Sequence, residues 1–497
     1  MSRMIHRVLA LALALCLLAG GALAAKKPKV TATPSPYPEA TLAPDAPTYD
    51  PEKPDELNAD QLYAWSAVLI EAESGKVIFE KSADDIRYPA STTKIMTALL
   101  ALHFVEDLDQ TVTVSEVAAA VNNTDDDISS LDLQPGEEIN FTDLLYGTML
   151  ASANDGANVI AEVVSGSIEN FVDLMNQYAQ LLGCTNTHFA NPHGLHDPMH
   201  YTTPRDMAII AREAMRNDLF RDIVSSTSYT LAKTNMHRAR TVTNTNELYN
   251  PGSEEKPNKY YYPASIGIKT GFTSPAQYCF VGAALQDDVE LISVVMYTGK
   301  RARWADTIKL MNYGFSQYVS VTPVDLYNMR PTTIETSGYA TDDAALGKLR
   351  LNAVAQDSKK ASGVHIVATK EEINNIAANL KNTMYFQYTR DFTAPITAGE
   401  VIGTMTYFDT NGEAIVYNLV ASRSVARRAN APKTLEEIVA ETYSDPNPFP
   451  KPTVEMGVYA ALPFVGMYGL VKLLRARRKK RRRAARHTPK VTHRYLK

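Results

Sequence analysis

The chain has 497 residues, of which 45% are hydrophobic and 21% are charged, so a wholly disordered or fibrous protein is excluded and more than one domain is expected. The net charge of −5 conceals an asymmetry, because the segment from Lys472 to the C-terminus holds thirteen Lys or Arg residues and no acid, which leaves −18 on the rest. Since that body is acidic, nucleic acid is not expected as its partner.

A secretory signal peptide is predicted at the N-terminus. Two arginines precede an apolar run at residues 8–18, and the small residues Ala22 and Ala24 complete a cleavage motif. The run is too short to span a bilayer permanently. We therefore expect residues 1–24 to be removed. The eight prolines within residues 28–54 then predict an extended spacer that buries no core.

Helical and strand patterns alternate over residues 57–321. The helical stretches are residues 91–104, 142–150, 157–165, 168–182 and 204–216. The strand patterns are residues 64–70, 76–80, 264–269, 278–285 and 289–297. The last three strands follow one another closely, which is typical of an antiparallel sheet. The sequence therefore predicts an α+β fold, in which a helical region is inserted between strands that pair across it.

The C-terminal third changes character to short strands at residues 363–369, 401–408 and 414–422. These patterns predict a small all-β sandwich domain over residues 322–427. The Pro-containing residues 428–453 are expected to form a linker.

A membrane helix is predicted after this linker. Residues 456–471 contain no charge, and eight positive charges follow within residues 475–483. Such a basic cluster stops translocation and stays on the cytoplasmic side, which favours a single span. The alternative is an interfacial amphipathic helix, although the run shows no polar face.

The predicted organisation is a signal peptide (1–24), a Pro-rich linker (25–56), a catalytic domain (57–321), a β-sandwich domain (322–427), a second linker (428–453), a transmembrane helix (454–474) and a basic cytoplasmic tail (475–497).

The tetrapeptide STTK places Ser91 and Lys94 on one face at the start of a predicted helix. A serine hydroxyl reacts once a base takes its proton, and a lysine at position i+3 can reach it. Burial and the positive helix N-terminus both lower a lysine pKa, so a neutral amine becomes accessible near neutral pH. A second match, from Ser253 to Lys256, lies in a polar loop before a proline and has no helix to position it.

Two further short motifs follow along the chain. The triplet SAN at residues 152–154 lies in a predicted loop, where the ordinary alternative is a helix cap. The triplet KTG at residues 269–271 ends a predicted strand, where the ordinary alternative is the start of a turn. Gly271 would permit a ligand to approach the backbone closely.

In this order, S-x-x-K, S-x-N and K-T-G resemble the signature set of penicillin-recognising serine enzymes. Flanking segments at residues 87–91, 144–155, 191–195 and 201–206 resemble low-molecular-mass penicillin-binding proteins that are serine-type D-alanyl-D-alanine carboxypeptidases. The resemblance covers roughly residues 57–426. It implies a serine transpeptidase or β-lactamase-like catalytic domain, with an antiparallel sheet and a helical subdomain, then a β-sandwich domain and a C-terminal membrane attachment.

The resemblance implies a reaction through an acyl-enzyme. Ser91 resembles the nucleophile that attacks the carbonyl between the last two D-alanines, and Lys94 resembles its base. Ser152 resembles the residue that relays a proton to the leaving amine. Asn154 resembles the residue that holds the peptide.

The same resemblance implies how the substrate is held. Lys269 and Thr270, with Gly271 beside them, are similar to the residues that bind the terminal carboxylate. The backbone N–H groups of Ser91 and Phe272 would form an oxyanion hole. Arg303 resembles an arginine that helps to anchor the carboxylate, although a solvated charge in a basic cluster is the alternative.

Four further residues are interpreted separately. His193 lies in a segment that is a structural loop in the family, so it has no role in the expected mechanism. Gln277 stands where the family usually has glycine, which implies a reshaped strand entry beside the site. Cys184 and Cys279 are expected to be two buried thiols, with a disulfide between them as the alternative.

The expected substrates are peptidoglycan stem peptides ending in D-Ala-D-Ala, and β-lactams are expected as covalent inhibitors. No cofactor and no metal is expected, and the oligomeric state is not predicted. The terminal signals imply a single-pass protein of the bacterial cell membrane, with the catalytic domain outside and the basic tail in the cytoplasm. The alternatives are a β-lactamase-like hydrolase, which should be about half as long, and a catalytically impaired wall-binding module.

Overall fold

The computed structural model describes residues 48–123, 128–409 and 412–429, together with residues 435, 438 and 439. The predicted signal peptide, most of the Pro-rich linker, nearly all of the second linker, the predicted membrane helix and the basic tail lie outside these residues. Of the helices that are described, none is both long and apolar enough to cross a bilayer.

The described residues divide into two compact units. The first contains residues up to 330 together with residues 357–385 and 406–416. The second contains residues 331–356, 386–405 and the described residues from 417 onwards.

The first unit is organised around a five-stranded antiparallel sheet. Its strands are β1 (Ser66–Glu71), β2 (Val77–Lys81), β7 (Ser265–Thr273), β8 (Gln277–Gln286) and β9 (Val289–Thr298). Their order across the sheet is β2-β1-β9-β8-β7. β1 pairs with β9, with Val68 opposite Val294. This pairing joins a strand that precedes the helical region in the sequence to one that follows it. The predicted antiparallel sheet, with a helical region inserted between its strands, is therefore confirmed.

The apolar run of β1 is buried on both faces of the sheet. Val68 and Ile70 pack in a core with the helices that follow β2, whereas Ala67 and Leu69 pack in a second core that contains Trp304. Because successive side chains of a strand point to opposite faces, a continuous apolar run is what a strand between two helical layers requires.

The helical layers contain α1 (Lys94–Phe104), α2 (Glu116–Ala119), α3 (Phe141–Leu150), α4 (Asn154–Ser165), α5 (Ile168–Leu181), α6 (Pro204–Ala214), α7 (Asp218–Ser225) and α8 (Ala302–Gln317). Two small antiparallel two-stranded sheets accompany them: β3 (Thr111–Thr113) with β4 (Glu138–Asn140), and β5 (Ser228–Leu231) with β6 (Arg240–Thr243). The five predicted helices are confirmed. The first of them begins with a 3₁₀ turn at Ala90–Thr93, before α1.

The prediction that residues 322–427 contain strands alone is wrong. The helices α9 (Pro323–Met329), α10 (Ser358–Ser362) and α11 (Lys370–Ala378) also occur there. Two of them start at capping boxes, one formed by Thr322 with Asp325 and one by Thr369 with Glu372. These boxes satisfy backbone N–H groups that would otherwise lack partners, and their S/T-x-x-D/E pattern is visible in the sequence.

The remaining strands form two sheets. The strands are β10 (Tyr318–Val321), β11 (Thr333–Glu335), β12 (Lys348–Ala355), β13 (Ile366–Thr369), β14 (Met384–Tyr388), β15 (Val401–Phe408) and β16 (Ala414–Ala421). β10 pairs with β13, and the other five have the order β11-β12-β16-β15-β14. Burial alternates along β16, which is typical of a sheet with one covered face.

Candidate active site

Lys94 lies at the centre of a cluster of polar atoms and is fully buried. Its Nζ lies 3.2 Å from Ser91 Oγ, 2.7 Å from Asn154 Oδ1 and 2.8 Å from the backbone oxygen of His193. The structure therefore brings the first two sequence motifs together, as the resemblance implies. The His193 carbonyl joins them from a loop about 100 residues away.

The surroundings of Lys94 favour its neutral form. Burial lowers its pKa well below the ordinary value, and the positive charge of Lys269 acts in the same direction. The carboxylate of Asp155 opposes these two effects but is the smallest of the three. A lysine in this environment can accept a proton near neutral pH.

The third motif lies directly against the turn that carries Ser91. A Cβ atom added to Gly271 would lie 3.2 Å from the Ser91 backbone nitrogen and 2.9 Å from the Pro89 oxygen. Glycine therefore lets β7 approach the turn closely. The motif lies within β7, which continues to Thr273, rather than at the end of the strand as predicted.

The second motif begins helix α4. Ser152 is buried and has a backbone φ of +64°, a left-handed conformation that is uncommon outside glycine. Asn154 is the first helical residue, and its backbone N–H donates to the Ser129 oxygen at 2.8 Å. The neighbouring Asp155 carboxylate accepts hydrogen bonds from the backbone of Leu131 and Leu133. These bonds tie the 129–133 loop to the start of α4.

Lys269 is a second buried lysine, and its charge acts on Lys94. Its Nζ donates to the Thr270 backbone oxygen at 3.1 Å. Burial, and secondarily the charge of Arg303, lower its pKa from 10.5 to about 7. Thr270 Oγ1 lies 2.6 Å from Thr245 Oγ1, on the segment that follows β6. An anion that enters this region would restore the charged form of Lys269.

Arg303 lies at the start of α8 between two aromatic rings. Its guanidinium carbon is 5.0 Å from the ring centre of Tyr278 and 4.4 Å from that of Trp304. Burial lowers its pKa to about 10, and its Nε is a buried donor without a partner among the described residues. The interpretation of Arg303 as a solvated charge in a basic cluster is therefore wrong.

Phe272 and Gln277 lie beside the third motif, on β7 and β8. The Phe272 ring is 48% exposed and stacks on Tyr278 with ring centres 4.4 Å apart. Gln277, the first residue of β8, has a φ of +54°, a left-handed conformation that glycine adopts without strain. Gln277, in place of the glycine that is usual in the family, therefore adds backbone strain where β8 begins.

Several contacts of the site have no signal in the sequence. The His193 carbonyl is a backbone group, so no residue type marks it as a partner of Lys94. Thr245 reaches the site only through tertiary packing. The predicted state of the cysteines is confirmed, since Cys184 and Cys279 are both buried and free. Within the part of the chain that the structure describes, no group of three or more His, Cys, Asp or Glu side chains is arranged to hold a metal.

Comparison with known proteins gives two family matches. The D-alanyl-D-alanine carboxypeptidase family matches residues 53–299, and the C-terminal domain of penicillin-binding protein 5 matches residues 355–427. The chain is 30% identical to D-alanyl-D-alanine carboxypeptidase DacF of Bacillus subtilis, over 74% of this chain and 86% of that protein. It is 31% identical to DacC of Escherichia coli, over 71% of this chain and 81% of that protein.

Among solved structures, the DD-transpeptidase of Streptomyces K15 is 34% identical and aligns with 51% of this chain and 98% of its own, with a TM-score of 0.47. The Bacillus subtilis and Escherichia coli relatives align over 74% and 71% of this chain, respectively. The chain therefore belongs to the D-alanyl-D-alanine carboxypeptidase family and is a serine D-Ala-D-Ala carboxypeptidase.

Proposed function

We propose that this carboxypeptidase removes the terminal D-alanine from peptidoglycan stem peptides through an acyl-enzyme on Ser91, and that penicillin acylates the same oxygen. The observation that carries this proposal is the set of contacts around Lys94. A neutral amine has two N–H groups and one lone pair. The oxygens of Asn154 and His193 occupy the two N–H groups, which leaves the lone pair directed at the Ser91 hydroxyl.

The first half of the reaction is acylation. Ser91 Oγ attacks the carbonyl carbon between the two D-alanines while its proton passes to Lys94 Nζ. The resulting oxyanion is stabilised by the backbone N–H groups of Ser91 and Phe272. When the tetrahedral intermediate collapses, the C–N bond breaks, and the leaving amine of D-alanine receives a proton that Lys94 supplies through Ser152.

The second half is hydrolysis of the acyl-enzyme. Water loses a proton to the neutral Lys94 and attacks the ester carbon, and Ser91 then leaves with a proton returned from Lys94. Asn154 Oδ1 accepts a hydrogen bond from Lys94 Nζ, which holds the amine in place. In the proposed complex, Asn154 also holds the substrate peptide. The buried position of Lys94 supports a base that is neutral at the start of each half-reaction.

The terminal carboxylate of the substrate is bound by Lys269, Thr270 and Arg303. Lys269 is buried and Arg303 is partly buried, and neither forms an ion pair with a carboxylate among the described residues. Because unpaired cations are costly to bury, this supports a role in binding an anion. Gly271 supports it as well, since the close approach of β7 to Ser91 puts the anchor next to the nucleophile. A free terminal carboxylate distinguishes a carboxypeptidase substrate from an internal peptide bond.

We infer that the enzyme is anchored in the membrane of a bacterium and faces outwards. The signal sequence at residues 1–24, the apolar run at residues 456–471 and the basic cluster at residues 475–483 support this location. A protease applied to intact cells should remove the folded units and spare the basic tail. Cleavage of the tail from outside would contradict the single span.

Substitution of the nucleophile tests the proposed chemistry. Ser91→Ala should abolish both the release of D-alanine and covalent labelling by a fluorescent penicillin, while the thermal unfolding temperature stays close to wild type. Ser253→Ala, at the serine of the second S-x-x-K match, is the matched control and should label normally. Labelling of Ser91→Ala would contradict the nucleophile assignment. Rapid loss of the label from wild type would favour the β-lactamase-like alternative.

A further inference from the structure

A buried histidine contacts the turn that carries Ser91. His200 is fully buried on the loop before α6, and its Nε2 lies 2.7 Å from Thr93 Oγ1. Its other ring nitrogen, Nδ1, accepts a hydrogen bond from the Ala190 backbone N–H at 3.0 Å. Burial lowers the pKa of His200 to about 3. The ring is therefore neutral, and because Nδ1 is an acceptor, Nε2 carries the proton.

This arrangement fixes the direction of the hydrogen bonds that follow. Nε2–H of His200 donates to Thr93 Oγ1, so the Thr93 hydroxyl is left to donate its own proton. It donates to the backbone oxygen of Ala90 at 2.8 Å. The result is a buried chain of two hydrogen bonds, from His200 through Thr93 to Ala90, in which each group has one assigned role.

The Ala90 oxygen belongs to the same peptide unit as the Ser91 N–H. A hydrogen bond accepted by an amide oxygen polarises the whole amide, which makes its N–H a stronger donor. Ala90 itself has a φ of +50°, a strained conformation that this bond helps to hold. The orientation and the donor strength of the Ser91 N–H therefore depend on the same two hydrogen bonds.

We propose that His200 and Thr93 are positioning residues for the oxyanion hole, acting on the Ser91 N–H through the Ala90 carbonyl. The inference rests on the proposed function, in which that N–H stabilises the oxyanion. It adds two residues that touch neither the substrate nor the reacting atoms. Their contribution arises only when negative charge develops on the substrate oxygen. They therefore stabilise the transition state and leave substrate binding unchanged.

The turn itself supplies a matched pair of variants. Thr92 and Thr93 are both fully buried, and each donates from Oγ1 to the backbone oxygen three residues earlier. The Thr92 bond, of 2.7 Å, goes to Pro89, whose carbonyl belongs to a different peptide unit. Thr92→Val and Thr93→Val thus remove the same kind of bond, but only the second removes it from the unit that contains the Ser91 N–H.

The test compares these variants in acylation by a fluorescent penicillin and in binding of a boronic acid analogue of N-acyl-D-alanine. The boronic acid forms a tetrahedral adduct with Ser91 that places an oxygen in the oxyanion hole. Thr93→Val should lose about tenfold in both measurements, a fraction of the 10²–10³ that loss of a complete donor costs. Thr92→Val should lose less than about twofold, and Thr93→Ser, which keeps the hydroxyl, should recover most of the loss.

His200→Leu should reproduce the loss of Thr93→Val, and the double variant should lose no more than either alone, because both act through one chain. The KM for a short peptide ending in D-Ala-D-Ala should stay unchanged while kcat falls. Equal losses in Thr92→Val and Thr93→Val, or losses that follow unfolding temperature alone, would overturn the proposal. Failure of the proposed function would instead appear independently of His200 and Thr93, as boronic acid binding that survives Ser91→Ala.

Discussion

The pH dependence of the reaction tests the assignment of Lys269 as the carboxylate anchor. Recognition of the substrate carboxylate requires the charged ammonium, whereas the chemistry requires a neutral Lys94. Burial and Arg303 together lower the pKa of Lys269 from 10.5 to about 7 in the free enzyme. We therefore expect kcat/KM for peptides ending in D-Ala-D-Ala to fall above pH 7, approaching tenfold per pH unit.

The expected effect of substituting Arg303 can be worked out from the lowered pKa of Lys269. The depression of the Lys269 pKa corresponds to roughly 5 kcal/mol against the ammonium, and burial is its larger cause. Arg303→Gln removes the smaller cause and so returns less than half of this difference. The alkaline limb should move upward by about 1 pH unit, even though the variant binds the carboxylate less tightly.

The assay is kcat/KM from pH 5 to 10 for the free peptide and for the same peptide with its terminal carboxylate amidated. The amidated peptide has no carboxylate to bind, so its lower rate should show no alkaline limb near pH 7. Lys269→Ala should cost much more on the free peptide than on the amidated one. An alkaline limb shared by both peptides, or one that Arg303→Gln leaves in place, would refute the anchor assignment.

Three further outcomes are expected. Gly194→Ala should slow penicillin acylation by more than about 100-fold, because a Cβ there would lie 1.9 Å from the Ala90 oxygen, and a wild-type rate would contradict this contact. Gln277→Gly should raise the free energy of unfolding by about 0.5–1 kcal/mol in urea denaturation, since it relieves a φ of +54°, and a loss of stability would contradict that reading. Lys269 binds fewer protons folded than unfolded between pH 7 and 10.5, so wild-type stability should rise across that range. Lys269→Met should be more stable than wild type at pH 7 and show no such rise, which denaturation at pH 7 and 9.5 measures.

Elements with strong local patterns could be predicted from the sequence. The continuous apolar run of β1 and the helix after Ser91 follow from hydrophobicity and spacing, and both are found. The meeting of Ser91, Lys94 and Asn154 follows from the order of three motifs and their resemblance to a family. In the C-terminal third, the strand patterns dominate and obscure the short helices, although Thr322 and Thr369 mark the starts of two of them.

The supporting contacts could not be predicted, for a physical reason. The His193 oxygen is a backbone group, and the sequence does not record which carbonyl will face a distant amine. His200 is 107 residues from Thr93, and its role depends on which ring nitrogen accepts a hydrogen bond. The left-handed conformation of Ala90 is likewise imposed by packing, since alanine shows no preference for it. Such features arise only when separate segments are brought together.

The pairing of β1 with β9 also governs when the enzyme can form. Glu71 and Leu291 face each other in this pair, so the sheet closes a loop of 220 residues. Closing such a loop costs about 5 kcal/mol of chain entropy. The contacts between β1 and β9 offset this cost, and they can form only after the whole segment has been synthesised. Because β7 reaches the rest of the sheet through β8 and β9, the KTG motif on β7 joins the completed sheet only at that point. A nascent chain that ends before β9 therefore carries all three motifs and lacks the completed sheet that holds them together, so activity should appear in one late step of folding.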